Sequence, residues 1–273
     1  MKILFLCPYW GSEGLGMADF CGRAKDAGYD GIELSLPLGD EAGTEAILSA
    51  AKGQSLLLVA QHWETVAPEF PVHKAEYLRR LEWLAEARPL FINSQTGKDW
   101  FSFEENRELL EASASVAASR KVRILHETHR GRFAFAASAA ARFLREDPEL
   151  RISADFSHWC VVSESLLPDQ AESVDLAVER ADHIHARVGF AEGPQVPDPR
   201  APECAEALSA HLGWWDRIVR RHRERGSETL TVTPEFGPYP YMPSLPYTKR
   251  PVADQWALNA AMMEMLRGRW AAD

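Results

Sequence analysis

The sequence predicts an α/β protein, a single (β/α)8 TIM barrel spanning residues 1–273. Three observations predict it. Short apolar runs alternate with helical stretches along the whole chain, a pattern that puts a parallel sheet inside a layer of helices. There are eight such pairs, and eight pairs in about 250 residues is the size of a closed barrel. The main alternative, an open doubly wound sheet, calls for a GxGxxG turn after the first strand. Residues 11–16 read GSEGLG instead, which is GxxGxG.

The first strand is the apolar run at residues 2–7, too short for the core of a signal peptide and followed by Pro8. A helix at 17–27 follows, with Gly28 placed to close it. The second pair is a strand at 31–36 and a helix near 41–52. The third is a strand at 56–60 and a strongly amphipathic helix at 72–87. Residues 89–93 form the fourth strand. The helix at 102–120 opens on SFEE, which has the form of a capping box. The fifth strand, 122–126, leads to a helix at 135–145. The sixth, 150–155, leads to one around 174–180. The seventh, 183–188, leads to a long helix near 203–224, and the eighth, 230–234, to a last helix at 253–267. Pro-rich stretches at 194–202 and 234–251 read as long loops after strands seven and eight. The long helix carries Trp214 beside Trp215, a pair that suits the core or a homodimer contact.

With 46% hydrophobic residues, the chain can bury a sizeable core. Its formal net charge of -10 gives no electrostatic reason to expect nucleic acid as a partner. No stretch has the length of a transmembrane helix. Cys7, Cys21, Cys160 and Cys204 form no CxxC pair and read as reduced thiols of a cytoplasmic protein.

The C-terminal ends of barrel strands converge on one site. Here they carry a dense set of polar groups. Strand three ends in QHWE (61–64), strand four in NSQ (93–95) and strand five in HETH (126–129). Strand six ends in DFSHW (155–159), strand seven carries HIHAR (183–187), and strand eight ends in EFG (235–237). His62, His129, His158, His183 and His185 stand among them with Glu127, Asp155 and Glu235. Strand alternation puts Glu127 and His129 on one face, and His183, His185 and Arg187 on another. Converging carboxylates repel and are costly to desolvate, and one divalent cation is the simple remedy. Three carboxylates and an imidazole suit Mn²⁺ or Mg²⁺ and also admit Zn²⁺, Co²⁺ or Fe²⁺. Trp10, Trp63, Trp159, Tyr239 and Tyr241 are candidate apolar walls for a sugar. Arg130, Arg132 and Arg187 are candidate grips for an anionic group.

These residues resemble the xylose-isomerase-like TIM-barrel superfamily of sugar (phosphate) isomerases and epimerases, inosose dehydratases and AP-endonuclease-type enzymes. The carriers are GYDGIEL (28–34) on strand two, Glu127 on strand five, Asp155 and His158 as DxxH on strand six, His183 and His185 on strand seven, and Glu235 on strand eight. The resemblance implies Glu127, Asp155, His185 and Glu235 as ligands of one divalent metal ion. It implies His158 as a substrate-binding residue, with His62, His129, Trp10, Trp63 and Arg187 as further candidates. The implied activity is a metal-dependent isomerase or epimerase acting on a small polyhydroxylated or keto-sugar substrate through an enediolate. Glu127 or Glu235 would move the proton, and His158 and Arg187 would stabilise the oxyanion. A dehydratase or lyase of a keto-sugar or keto-cyclitol is the second reading, and a non-catalytic binding barrel the third. Two departures stand out. Epimerases carry a second glutamate shortly after the strand-five ligand, where this chain has THRGR (128–132). Endonucleases carry a strand-four histidine, where this chain has Asn93, Ser94 and Gln95.

Overall fold

Parallel pairing closes on itself. In the computed structural model, which describes residues 1–271, β1 (Lys2–Pro8) pairs with β2 (Gly31–Leu34) on one side and β8 (Thr229–Thr233) on the other. Between them run β3 (Leu57–His62), β4 (Ile92–Ser94), β5 (Ile124–Glu127), β6 (Ile152–Ala154) and β7 (Ala181–His185), each hydrogen-bonded to the next. The chain is a single (β/α)8 TIM barrel.

Outside the barrel lie α1 (Met17–Asp26), α2 (Glu41–Gly53), α3 (Phe70–Glu86), α4 (Phe103–Arg120) and α5 (Ala137–Glu146). After β6 the chain makes a short α6 (Ser157–Val162) before α7 (Ala171–Arg180), and a 3-10 turn at Pro202–Cys204 before α8 (Ala205–Glu224). The last helix is α9 (Gln255–Trp270). Local chemistry explains the ends. Gly28 takes φ +89 after α1 and donates its N–H to the Lys25 carbonyl. The capping box of α4 is complete: Ser102 Oγ accepts from the Glu105 N–H, and Glu105 returns a carboxylate to the Ser102 N–H. The sixth strand, expected over 150–155, stops at Ala154, and the chain enters α6 at Ser157, whose N–H and hydroxyl both donate to the Asp155 carboxylate.

Alternation divides the buried residues. Phe5, Cys7, Ile32, Leu58, Ala60, Ile184 and Val232 face the helices. Leu6, Val59, Phe91 and Leu125 face inward and pack as a separate small group. Trp215 is fully buried and Trp214 nearly so, the latter edge-on to Phe156. The pair is core, so it offers no apolar face to a second copy. All four cysteines are buried and free. Among the described residues, no helix is long and apolar enough to cross a membrane.

Candidate metal centre

The strand period that turns Val59, Phe91 and Leu125 inward does the same, two residues on, to Gln61, Asn93 and Glu127. It also turns Glu33, His183, His185 and Thr233 away from the helix layer. The barrel interior is therefore apolar at one level and polar at the levels above it.

Glu127, Asp155, His185 and Glu235 form the centre of this polar interior. Each offers a ligand atom within 4.8 Å of the others, and all four are buried. His185 Nδ1 lies 2.9 Å from Glu235 Oε2 and 3.8 Å from Glu127 Oε1, yet no hydrogen bond is aligned on it. Burial pushes the Glu127 carboxyl up to about 8; Glu235 and Asp155 add to the rise, against the pull of His185 and Arg187. Burial also raises Asp155. For His185, burial opposes the charged form, but Glu235, Glu33 and Glu127 outweigh it and hold the imidazole well above its ordinary range. Burial likewise pushes Glu235 up, and His185 and Arg187 bring it below the usual value. The cluster is short of positive charge. A wholly buried nitrogen without a partner, facing three carboxylates, fits a divalent ion.

Amides and a guanidinium hold the carboxylates. Gln61 Nε2 donates to Glu235 Oε1 at 3.2 Å, and Asn93 Nδ2 donates to Glu127 Oε2 at 3.1 Å. The Arg187 guanidinium pairs with Asp155 Oδ2 and stands 3.6 Å from Glu235 Oε2. It also donates to Ser157 Oγ at 3.1 Å and to His158 Nε2 at 2.8 Å. Behind His185 lies Glu33, whose Oε1 is 3.0 Å from His185 Nε2 and accepts from Asn93 Nδ2 at 3.0 Å. Its Oε2 is 3.3 Å from His183 Nε2 and accepts from the Thr233 hydroxyl.

A cavity of about 450 Å³ opens over the cluster. Glu127, Glu235, His129 and Arg187 line it below, and Trp10, Trp63 and Tyr241 give it aromatic walls. His129 Nδ1 donates to the Arg130 carbonyl at 2.6 Å, which leaves Nε2 as an acceptor.

Other expected site residues lie elsewhere. His62 does not line the cavity. Gln61 takes the inward position, so His62 points at the helix layer, 3.0 Å from Ser94 Oγ and 2.7 Å from Thr65 Oγ1. His158 is buried one step back and does not line the cavity; it stands behind Arg187, whose guanidinium is 2.8 Å from its Nε2, and behind His129, whose ring is 3.8 Å from its own. Arg132 spends its guanidinium on the carbonyls of Thr65 and Trp63, so it is not a grip for an anion. Trp159 stacks on Phe156 and donates to the Ala134 carbonyl. Tyr239 is largely exposed and lines a neighbouring cavity. The sequence reading gave no role to Glu33, Asn93, Gln61 and Gln95. Their signal was strand alternation, which puts each at an inward position.

The sequence matches no family model and no curated protein. Solved structures do match. The chain is similar to the probable 3-DHS dehydratase AsbF from Bacillus anthracis at 20% identity, with TM-score 0.59 and coverage of 98% of this chain and 100% of that one. It is similar to D-allulose 3-epimerase from Methylomonas sp. in complex with D-allulose at 15% identity, with TM-score 0.65 and coverage of 98% of each chain. It is also similar to a xylose isomerase-like TIM barrel protein from Mycobacterium smegmatis in complex with magnesium at 10% identity. There the TM-score is 0.66, with coverage of 96% of this chain and 95% of that one. The fold is the (β/α)8 barrel that these structures share. Identities this low establish the fold, and chemistry must come from the site.

Proposed function

We propose that this protein is a divalent-metal-dependent isomerase or epimerase of a small sugar or sugar derivative. The observation that carries the reading is the cluster of Glu127, Asp155, His185 and Glu235 opening on an aromatic-walled cavity of about 450 Å³, within the usual range for small-molecule sites. Those four residues would hold the ion. The chemistry supplied there by a divalent ion is polarisation of a carbonyl and its neighbouring hydroxyl. Glu127 and Glu235 both line the cavity, where either can move a proton at the carbon beside the carbonyl. Arg187 lines it too, and its charge favours an oxyanion. His158 accepts from Arg187 and keeps that guanidinium in place. Trp10, Trp63 and Tyr241 offer apolar faces to a sugar ring. The likeness to an epimerase holding D-allulose and to a barrel holding magnesium supports the reading.

One observation favours a second reading, a dehydratase or lyase of a keto-sugar or keto-cyclitol. The β5 loop places His129, with Nε2 free to accept, on the cavity wall in place of a further carboxylate. The test is incubation of metal-stripped and Mn²⁺-loaded protein with a panel of keto-sugars, polyols and keto-cyclitols, followed by mass and NMR analysis. An isomerase gives a product of unchanged mass only in the loaded sample. Loss of water or chain cleavage supports the second reading, and no turnover across the panel counts against both.

A further inference from the structure

Glu33 is a fourth buried carboxylate in the barrel, and it faces the back of the metal centre. It touches neither the cavity nor the cluster's carboxylates. Every contact it makes runs to a group that holds or flanks His185. Its Oε1 sits 3.0 Å from His185 Nε2, and Asn93 Nδ2 donates to the same oxygen at 3.0 Å. Its Oε2 takes the Thr233 hydroxyl and lies 3.3 Å from His183 Nε2. His183 is itself anchored at its other nitrogen, Nδ1, 2.7 Å from the Thr231 hydroxyl. With four neighbours around it, the Glu33 carboxylate has one orientation.

An imidazole that ligates a metal ion is neutral, with one N–H and one lone pair. A carboxylate beside Nε2 claims the N–H for that nitrogen. The lone pair then falls on Nδ1, the nitrogen that lacks a hydrogen bond and faces Glu235 and Glu127. A carboxylate on the far nitrogen also makes the ligating nitrogen more basic and fixes the ring plane. Asn93 Nδ2 also stands 3.2 Å from Nε2, and an amide N–H donated there would draw the lone pair to Nε2; its two N–H groups instead go to Glu33 Oε1 at 3.0 Å and Glu127 Oε2 at 3.1 Å, which leaves Glu33 as the partner of Nε2.

We propose that Glu33 is a positioning residue that selects Nδ1 of His185 as the metal-binding nitrogen. The inference rests on the metal-centre reading and goes beyond it, since it assigns the selection to a residue no substrate can reach.

The test is titration of purified protein with Mn²⁺ by calorimetry, alongside nitrogen-15 NMR of the histidine rings in Mg²⁺-loaded protein, where the ion is diamagnetic and the ligating imidazole is neutral. Glu33→Gln is expected to lower Mn²⁺ affinity 10- to 100-fold and to shift His185 from the Nε2–H form toward the Nδ1–H form. If that variant fails to fold, Thr233→Val serves in its place. It removes the hydroxyl that holds Glu33 Oε2 and stands 3.3 Å from His183 Nε2, and a loss of about tenfold, the low end for an outer-shell partner, is expected. A folded variant with wild-type Mn²⁺ affinity and an unchanged His185 tautomer overturns the role of Glu33 and leaves the metal centre standing. Wild-type protein that takes up no divalent ion overturns the metal-centre reading, and this inference with it.

Discussion

Glu127, Asp155 and Glu235 crowd three buried carboxylates against one another, and such crowding costs stability when no cation answers it. With its carboxyl pushed up to about 8, Glu127 must take up a proton to stay buried near neutral pH, and Glu127→Gln removes that cost at nearly constant shape. Metal-free Glu127→Gln is therefore expected to be more stable than wild type by about 1–3 kcal/mol, read as a rise of several degrees in Tm, while its Mn²⁺ affinity falls at least about tenfold. A lower Tm would show that the carboxylates are not in conflict. Trp63 behaves differently. Its ring is half exposed on the cavity wall, so Trp63→Ala should change stability by less than about 0.5 kcal/mol. Steady-state kinetics on the substrate found in the panel should show KM rising several-fold at constant kcat, the mark of lost uniform binding. At this scale the sequence revealed Glu127, Asp155, Glu235 and five histidines at strand ends, and it was the family resemblance that picked His185 as the fourth ligand. His62 was misjudged because the inward frame of β3 falls on Gln61. Alternation marks Glu33 and Asn93 as inward, but nothing in the sequence says at which level the barrel interior turns from apolar to polar, so they were given no role.

At the scale of elements, α8 is tied through His211 to the loop that leaves β7. Its Nδ1 donates to the Ala207 carbonyl at 2.9 Å and its Nε2 accepts the Gly189 N–H at 3.2 Å, so the buried ring is neutral. Burial lowers its pKa to about 4. The unfolded chain therefore binds a proton more readily than the folded one between about pH 6.5 and pH 4. The stability this residue gives is complete above pH 6.5, declines as pH falls, and is gone near pH 4. A loss of about 3 kcal/mol is the order expected. Denaturant unfolding of wild type and His211→Gln across that window should show a shallower pH slope in the variant, and equal slopes would refute the assignment. A second contact joins the β8–α9 loop to the β1–α1 loop. A Cβ on Gly237 would fall 2.1 Å from the Trp10 ring. Gly237→Ala should displace that cavity wall and cut kcat/KM at least about tenfold, with near-native circular dichroism. Element identity was legible because helix and strand periods differ so clearly. α6 was missed since its six residues are too few for a periodic signal, and its cause is a local Asp155–Ser157 contact.

For the whole molecule, the barrel was legible from the count and order of its elements, which leave few ways to bury every apolar face. The site was legible only as a ring of strand ends, because tilt and register decide which ends meet. Binding should couple the two. Mn²⁺ at about 100 times its Kd should stabilise the fold by about 2.7 kcal/mol, seen as a Tm several degrees higher that chelation reverses. Beneath the polar interior, Leu6, Val59, Phe91 and Leu125 close the barrel, and the Phe91 ring lies 5.1 Å from that of His183. This group works as a one-sided seal. Glu33, His183 and His185 therefore have apolar packing on the side away from the mouth, and a ligand seated in the mouth would shield the whole polar stack from bulk solvent at once.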